Sequence, residues 1–144
     1  MPLKPEELER RGLIRRHRRD EVGIRFTLER AQRDLATAES LLVIDHDWSL
    51  SIAYNAMLQA GRALMYSHGY RPAGRAQHAA VVKFVEGMLG SELTDEVLAF
   101  ERMRRKRHKA VYDAAGVVSQ TEAENALRHA RELVKTIETS IGIS

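Results

Sequence analysis

Proline occurs only at positions 2, 5 and 72 of the 144 residues, so two long stretches of chain are free to stay helical. Alternation of apolar and polar residues is absent, and apolar spacing by three and four takes its place. Ile24, Leu28, Ala31, Leu35, Ala38 and Leu42 form one such stripe, beginning after Asp20. A narrow stripe of this kind predicts a helix seated in a bundle. Residues 48–68 differ, being apolar on almost every side, from Trp48, Leu50 and Ile52 through Met57 and Leu58 to Leu64 and Met65. A helix like that belongs in the middle of a bundle or at a subunit interface. Asn55, Gln59, Arg62 and Tyr66, at 4-3-4 spacing, interrupt it as a polar seam; a helix edge reaching solvent gives the same pattern.

The stop and start signals divide the rest. Asp47 or Ser49 caps the central helix, and Gly69 with Pro72 ends it, leaving residues 69–74 as a loop that carries Arg71, with Arg75 just beyond. A shorter helix is predicted over 76–89, ended by Gly90, and another over 93–113, capped by Thr94 or Ser91 and closed by Ala114, Ala115 and Gly116. Ser119 with Glu122 three residues on is a capping box for the last helix, whose stripe is Ala123, Ala126, Ala130, Val134, Ile137 and Ile141. Residues 6–19 read as a short basic amphipathic helix around Leu8 and Leu13. The expectation is an all-α antiparallel bundle of about five main helices over 20–144, with 1–19 as a basic N-terminal helical extension.

Composition removes several classes of function. With 44% apolar residues the chain can bury a core, and without cysteine it has no disulfide, thiolate metal site or cysteine nucleophile. The first 20 residues are polar and arginine-rich, unlike a signal peptide, and no apolar run approaches the roughly 20 residues of a membrane span. A cytoplasmic protein without membrane contact is expected. The six histidines are too scattered for a metal motif, and neither a P-loop nor GxGxxG occurs, so neither metal nor cofactor is expected. Asp45, His46 and Asp47 read as capping and turning residues.

Charge is informative through its distribution. Lys and Arg number 23 against 20 Asp and Glu, a net +3. Yet residues 10–19 hold six arginines with no acid, and residues 102–109 hold Arg102, Arg104, Arg105, Lys106, Arg107 and Lys109 around His108, again with no acid. Two such segments suit a polyanion; a solvated helix face gives the same composition. At about 100° per residue, Leu93, Val97, Phe100, Met103 and Val111 share one apolar face. Arg107 falls in its middle, Arg104 towards its edge, and His108 and Tyr112 flank it. A guanidinium on an apolar face must have a carboxylate, water or an anionic ligand. An internal ion pair with Glu101, Asp113 or a more distant acid satisfies that, and so does a groove open to phosphate. Arg104, His108 and Tyr112 follow one another at single turns, so all three can reach one cleft. Guanidiniums bind phosphate bidentately, and imidazole and phenol exchange protons.

Three segments resemble the HEPN family: "ERAQRDLATAESLL" its first long helix, "SIAYNAMLQAGRALMYSHGYRP" its central helix and following loop, and "RMRRKRHKAVYD" its signature helix. The resemblance covers roughly residues 27–141. It implies an arginine followed, four to six residues on, by a histidine, which in active members cleaves RNA without metal: the 2′-hydroxyl attacks the phosphate, arginine stabilises the transition state and histidine moves protons. It also implies a homodimer with a composite cleft and, for small bacterial members, a nucleotidyltransferase-fold antitoxin as partner. One register takes Arg102 and His108, about 120° apart on the helix. The preferred register takes Arg107, with His108 following it, and has Tyr112 where histidine is expected. Arg107, His108 and Tyr112 are therefore the candidate catalytic residues, and Arg62, Arg102, Arg104 and Arg105 the candidate phosphate contacts. A phenol near pKa 10 is only about one part in a thousand ionised at pH 7, so RNA or nucleotide binding is implied more directly than cleavage, with a non-catalytic dimeric interaction module as the alternative.

Overall fold

A computed structural model describes residues 2–142. Helix α1 (Pro5–Arg10) leads to strand β1 (Ile14–Arg16), then α2 (Glu21–Leu41), α3 (His46–Ser67), β2 (Tyr70–Pro72), α4 (Gln77–Leu89), α5 (Thr94–His108), a π-helical turn over Lys109–Asp113, and α6 (Gln120–Ile141). The all-α bundle is present with five main helices. Asp20 caps α2 by accepting from the Val22 amide, and Ser119 and Glu122 form the full capping box of α6. The stripe of α2 is buried from Ile24 to Ala38, with Leu42 partly covered.

Helix α3 is the axis of the bundle. It packs against α2, α6, α4 and α5, which together account for its all-round apolar surface. A subunit interface is therefore not needed to bury it. Gly61 allows the approach of α4: a Cβ there would stand 2.5 Å from Val81 Cγ1 and 3.1 Å from Val85 Cγ2.

Several local expectations are corrected. Residues 6–19 do not form one helix, because Gly12 adopts φ 76° and turns the chain into β1. β1 pairs antiparallel with β2, inside what reads as a loop, with Ile14 opposite Pro72, Arg15 opposite Arg71 and Arg16 opposite Tyr70. Leu8 and Ile14 are buried in the same core as the bundle, so the extension is packed rather than loose. At α5 neither Ser91 nor Thr94 caps; the Thr94 hydroxyl instead donates back to the Gly90 carbonyl at 2.9 Å. The helix predicted over 93–113 changes pitch after His108. There the Ala114 amide reaches the Lys109 carbonyl at 3.0 Å, an i to i+5 closure, and Val111, expected on the apolar face, emerges 40% exposed.

The cap of α3 is Asp45 rather than Asp47 or Ser49, whose hydroxyl instead donates to the Ala38 carbonyl at 2.8 Å. Asp45 caps the helix through the Trp48 amide, and Asp47 accepts from the Gly116 and Val118 amides at 2.6 and 3.0 Å. Among the described residues, no helix is long and apolar enough to cross a membrane.

Candidate functional site

Tyr54, halfway along α3, is fully buried, and its hydroxyl lies 3.0 Å from Nδ1 of His78 on α4. Phe100 of α5 packs against the phenol ring at 5.6 Å between centroids, and the Arg107 guanidinium carbon stands 5.9 Å from the same ring. Burial pushes the Tyr54 pKa up to about 12, against the pull of Arg104, Arg107 and Arg62. The phenol thus keeps its proton at neutral pH and can donate it to the imidazole. His78 is lowered below 6.5, first by burial and then by Arg107, Arg62 and Arg104. A neutral phenol–imidazole pair surrounded by three guanidiniums is a place where a further cation is unfavourable and an anion favourable.

The arginines come from more than one element. Arg62, Arg75, His78 and Arg104 line a cavity of about 360 Å³ beside the buried phenol. Arg104 is held in place by Glu101, donating from Nε at 3.1 Å and from Nη2 at 2.7 Å, while Arg105 donates to the same carboxylate at 3.2 Å. Hydrogen bonding from Arg104 is the main reason that the Glu101 carboxyl sits below its usual range. Glu101 is thus taken by its neighbours, and the internal ion pair considered for Arg107 is not formed with it. Among the described residues, neither Arg107 nor Arg62 has a carboxylate within 4.0 Å, although both are partly buried.

The remaining sequence candidates lie elsewhere on α5. Arg102, Arg105 and His108 border a groove of about 580 Å³ against α6, together with Lys106 and Asp113. Lys106 there pairs with Glu122 at 3.2 Å, and His129 Nδ1 meets Glu96 at 2.9 Å. Tyr112 is 66% exposed and tilts against His108, their centroids 4.9 Å apart. The structure therefore gathers Arg62, Arg104 and Arg107 around Tyr54 and His78. It does not gather His108 and Tyr112 into that cavity with Arg104. Sequence reasoning missed Tyr54, counted among the apolar residues of α3, and His78, counted among scattered histidines; their 24-residue separation left no local signal. Among the described residues no cluster of His, Asp and Glu could hold a metal ion.

The family model of the HEPN domain matches residues 24–140, most of the chain, and the protein belongs to the HEPN family. Its fold is similar to the crystal structure of TT1696 from Thermus thermophilus, with a TM-score of 0.63 and 21% sequence identity over 81% of this chain and 96% of that one. At that identity the likeness concerns the fold. No curated protein matches in sequence.

Proposed function

We propose that this HEPN protein binds RNA or a nucleotide through its phosphates, with Arg62, Arg104 and Arg107 as donors. The observation that carries the reading is that, among the described residues, Arg107 and Arg62 have no carboxylate partner beside a neutral Tyr54–His78 pair. A guanidinium half-withdrawn from water with no carboxylate is costly on its own, and a phosphate oxygen supplies the missing partner. Metal-independent cleavage is the narrower form of this proposal. It rests on His108 and Tyr112, which are in contact and accessible at the end of the same helix. A non-catalytic module is the alternative. Homodimerisation and a nucleotidyltransferase-fold antitoxin partner belong to the same family-based reading. Trp48 and, on the π turn, Val111 and Tyr112 are among the exposed apolar side chains available to such an interface.

Titrating labelled RNA with protein across a range of NaCl tests the reading. Expected is saturable binding that weakens steeply with salt, as counterion displacement requires, and that Arg107→Ala weakens. Binding indifferent to salt would overturn it. The same mixtures in EDTA report cleavage: products ending in 2′,3′-cyclic phosphate and lost in His108→Ala define a ribonuclease, whereas intact RNA held by folded protein defines the binding module.

A further inference from the structure

Three residues of the polar seam of α3, Gln59, Arg62 and Tyr66, open onto a third cavity, while Asn55 donates to Asp34 at 2.9 Å. Arg15 of β1, Phe26 and Arg30 of α2, Gln59 and Arg62 of α3, and Arg71 of β2 line a groove of about 580 Å³ with no acidic residue in its wall. Tyr66, the last residue of the seam, completes that side. Arg62 and Gln77 border both this groove and the cavity lined by His78 and Arg104, so the two are neighbours across a shared wall.

Three observations set this groove apart from an ordinary basic surface. First, Arg10, Arg11, Arg16 and Arg19 of the same N-terminal segment each pair with a glutamate. Among the described residues, Arg15, Arg30, Arg62 and Arg71 have no carboxylate within 4.0 Å. Second, Arg15 and Arg71 stand directly opposite in the β1–β2 ladder. Like charges in that position destabilise a two-stranded ribbon, which has little stability to spare. An anion bridging them relieves the repulsion. Third, Phe26 is 58% exposed at the groove, with the Arg30 guanidinium 5.9 Å from its ring centroid. Guanidinium and aromatic ring side by side are the elements that hold a phosphate and stack a base.

We infer that the groove is a track for single-stranded RNA, in which Arg15, Arg30 and Arg71 hold successive backbone phosphates, Phe26 stacks a base, and Arg62 passes the strand to the Arg104–Arg107 site. The inference rests on the proposed function and deepens it: the ligand is a strand rather than a lone nucleotide. A free mononucleotide can fill one phosphate site, whereas a strand can occupy both cavities together.

The test is fluorescence anisotropy with labelled dodecauridylate and tetrauridylate against wild type, Arg30→Ala, Arg71→Ala, Phe26→Ala, Arg107→Ala and the remote charge control Arg131→Ala. Expected is a loss of affinity for the dodecamer of about ten-fold in Phe26→Ala. The salt slope should drop by about 0.7 in each of Arg30→Ala and Arg71→Ala, with Arg131→Ala near wild type. Adenosine monophosphate should compete poorly with the dodecamer. Dodecamer binding weakened by Arg107→Ala but untouched by all three groove variants would overturn the track and leave the phosphate site standing. Equal affinity of wild type for duplex and single strand, with Phe26→Ala silent, would also overturn it. Wild-type protein that binds neither oligonucleotide removes the proposed function itself. Circular dichroism of each variant identifies any that fail to fold, and Phe26→Leu then replaces Phe26→Ala.

Discussion

The Tyr54 hydroxyl and His78 Nδ1 meet at 3.0 Å across two helices, and this contact joins the core of the bundle to its arginine face. Tyr54→Phe keeps the packing against Phe100 and removes only the donor. The expected loss is about 1 kcal/mol in urea unfolding, the usual net worth of one hydrogen bond. The His78 ring resonances, followed by NMR, should shift in the same variant.

Acid should weaken the fold through the histidines. His78 titrates below 6.5 in the folded chain because of burial and then Arg107, Arg62 and Arg104, and His68 is shifted the same way by desolvation and Arg19. The unfolded chain therefore takes up protons first as pH falls. The stability held above 6.5 is lost progressively as pH drops from there through the folded-state values. Thermal melts from pH 8 to pH 5 should show a plateau and then a decline, smaller in His78→Gln. Saturating inorganic phosphate should raise the His78 midpoint, which NMR titration reads directly.

Arg107→Ala separates a structural arginine from a ligand-facing one. Breaking a buried ion pair costs about 3–5 kcal/mol. Among the described residues Arg107 has no such pair to lose, so the melting temperature of Arg107→Ala should stay close to that of wild type while RNA retention falls. A large drop in melting temperature would contradict this.

Gly61→Ala should destabilise the bundle by about 1–3 kcal/mol, the range for forcing extra atoms into a packed core. The new methyl would meet the branched, rigid side chains of Val81 and Val85, and relief would require α3 and α4 to separate. Chemical denaturation measures the loss.

Asp47→Ala leaves the Gly116 and Val118 amides without their acceptor. Faster hydrogen exchange at those two amides is expected, with a stability loss of about 1–3 kcal/mol.

Much of the bundle was legible because helical spacing and caps are local properties. The stripe of α2, the all-round apolar surface of α3 and the Ser119–Glu122 box could each be read within a few turns of chain. The ribbon was not legible: three-residue strands carry almost no periodic signal, and the pairing of residues 14–16 with 70–72 is a long-range event. Arg107 stood out as a charge on an apolar face, and the structure keeps it against the Tyr54 ring. Tyr112 was placed with it by extending an ideal helix to residue 113, whereas the chain widens to a π turn after 108, and His108, still on α5, faces the groove against α6. Tyr54 and His78 were hidden because their chemistry exists only as a pair.

The ribbon also bears on how this chain can diverge from others of its family. Residues 14–16 lie outside the matched span of 24–140, yet they supply Arg15 to the groove and hold Arg71 across from it. One bank of the groove is thus built from residues outside the span that the family model matches. Under the proposed track, substitutions of the exposed Arg15 retune ligand preference while its neighbour Ile14 keeps its buried place in the core, so specificity and foldability can be inherited separately.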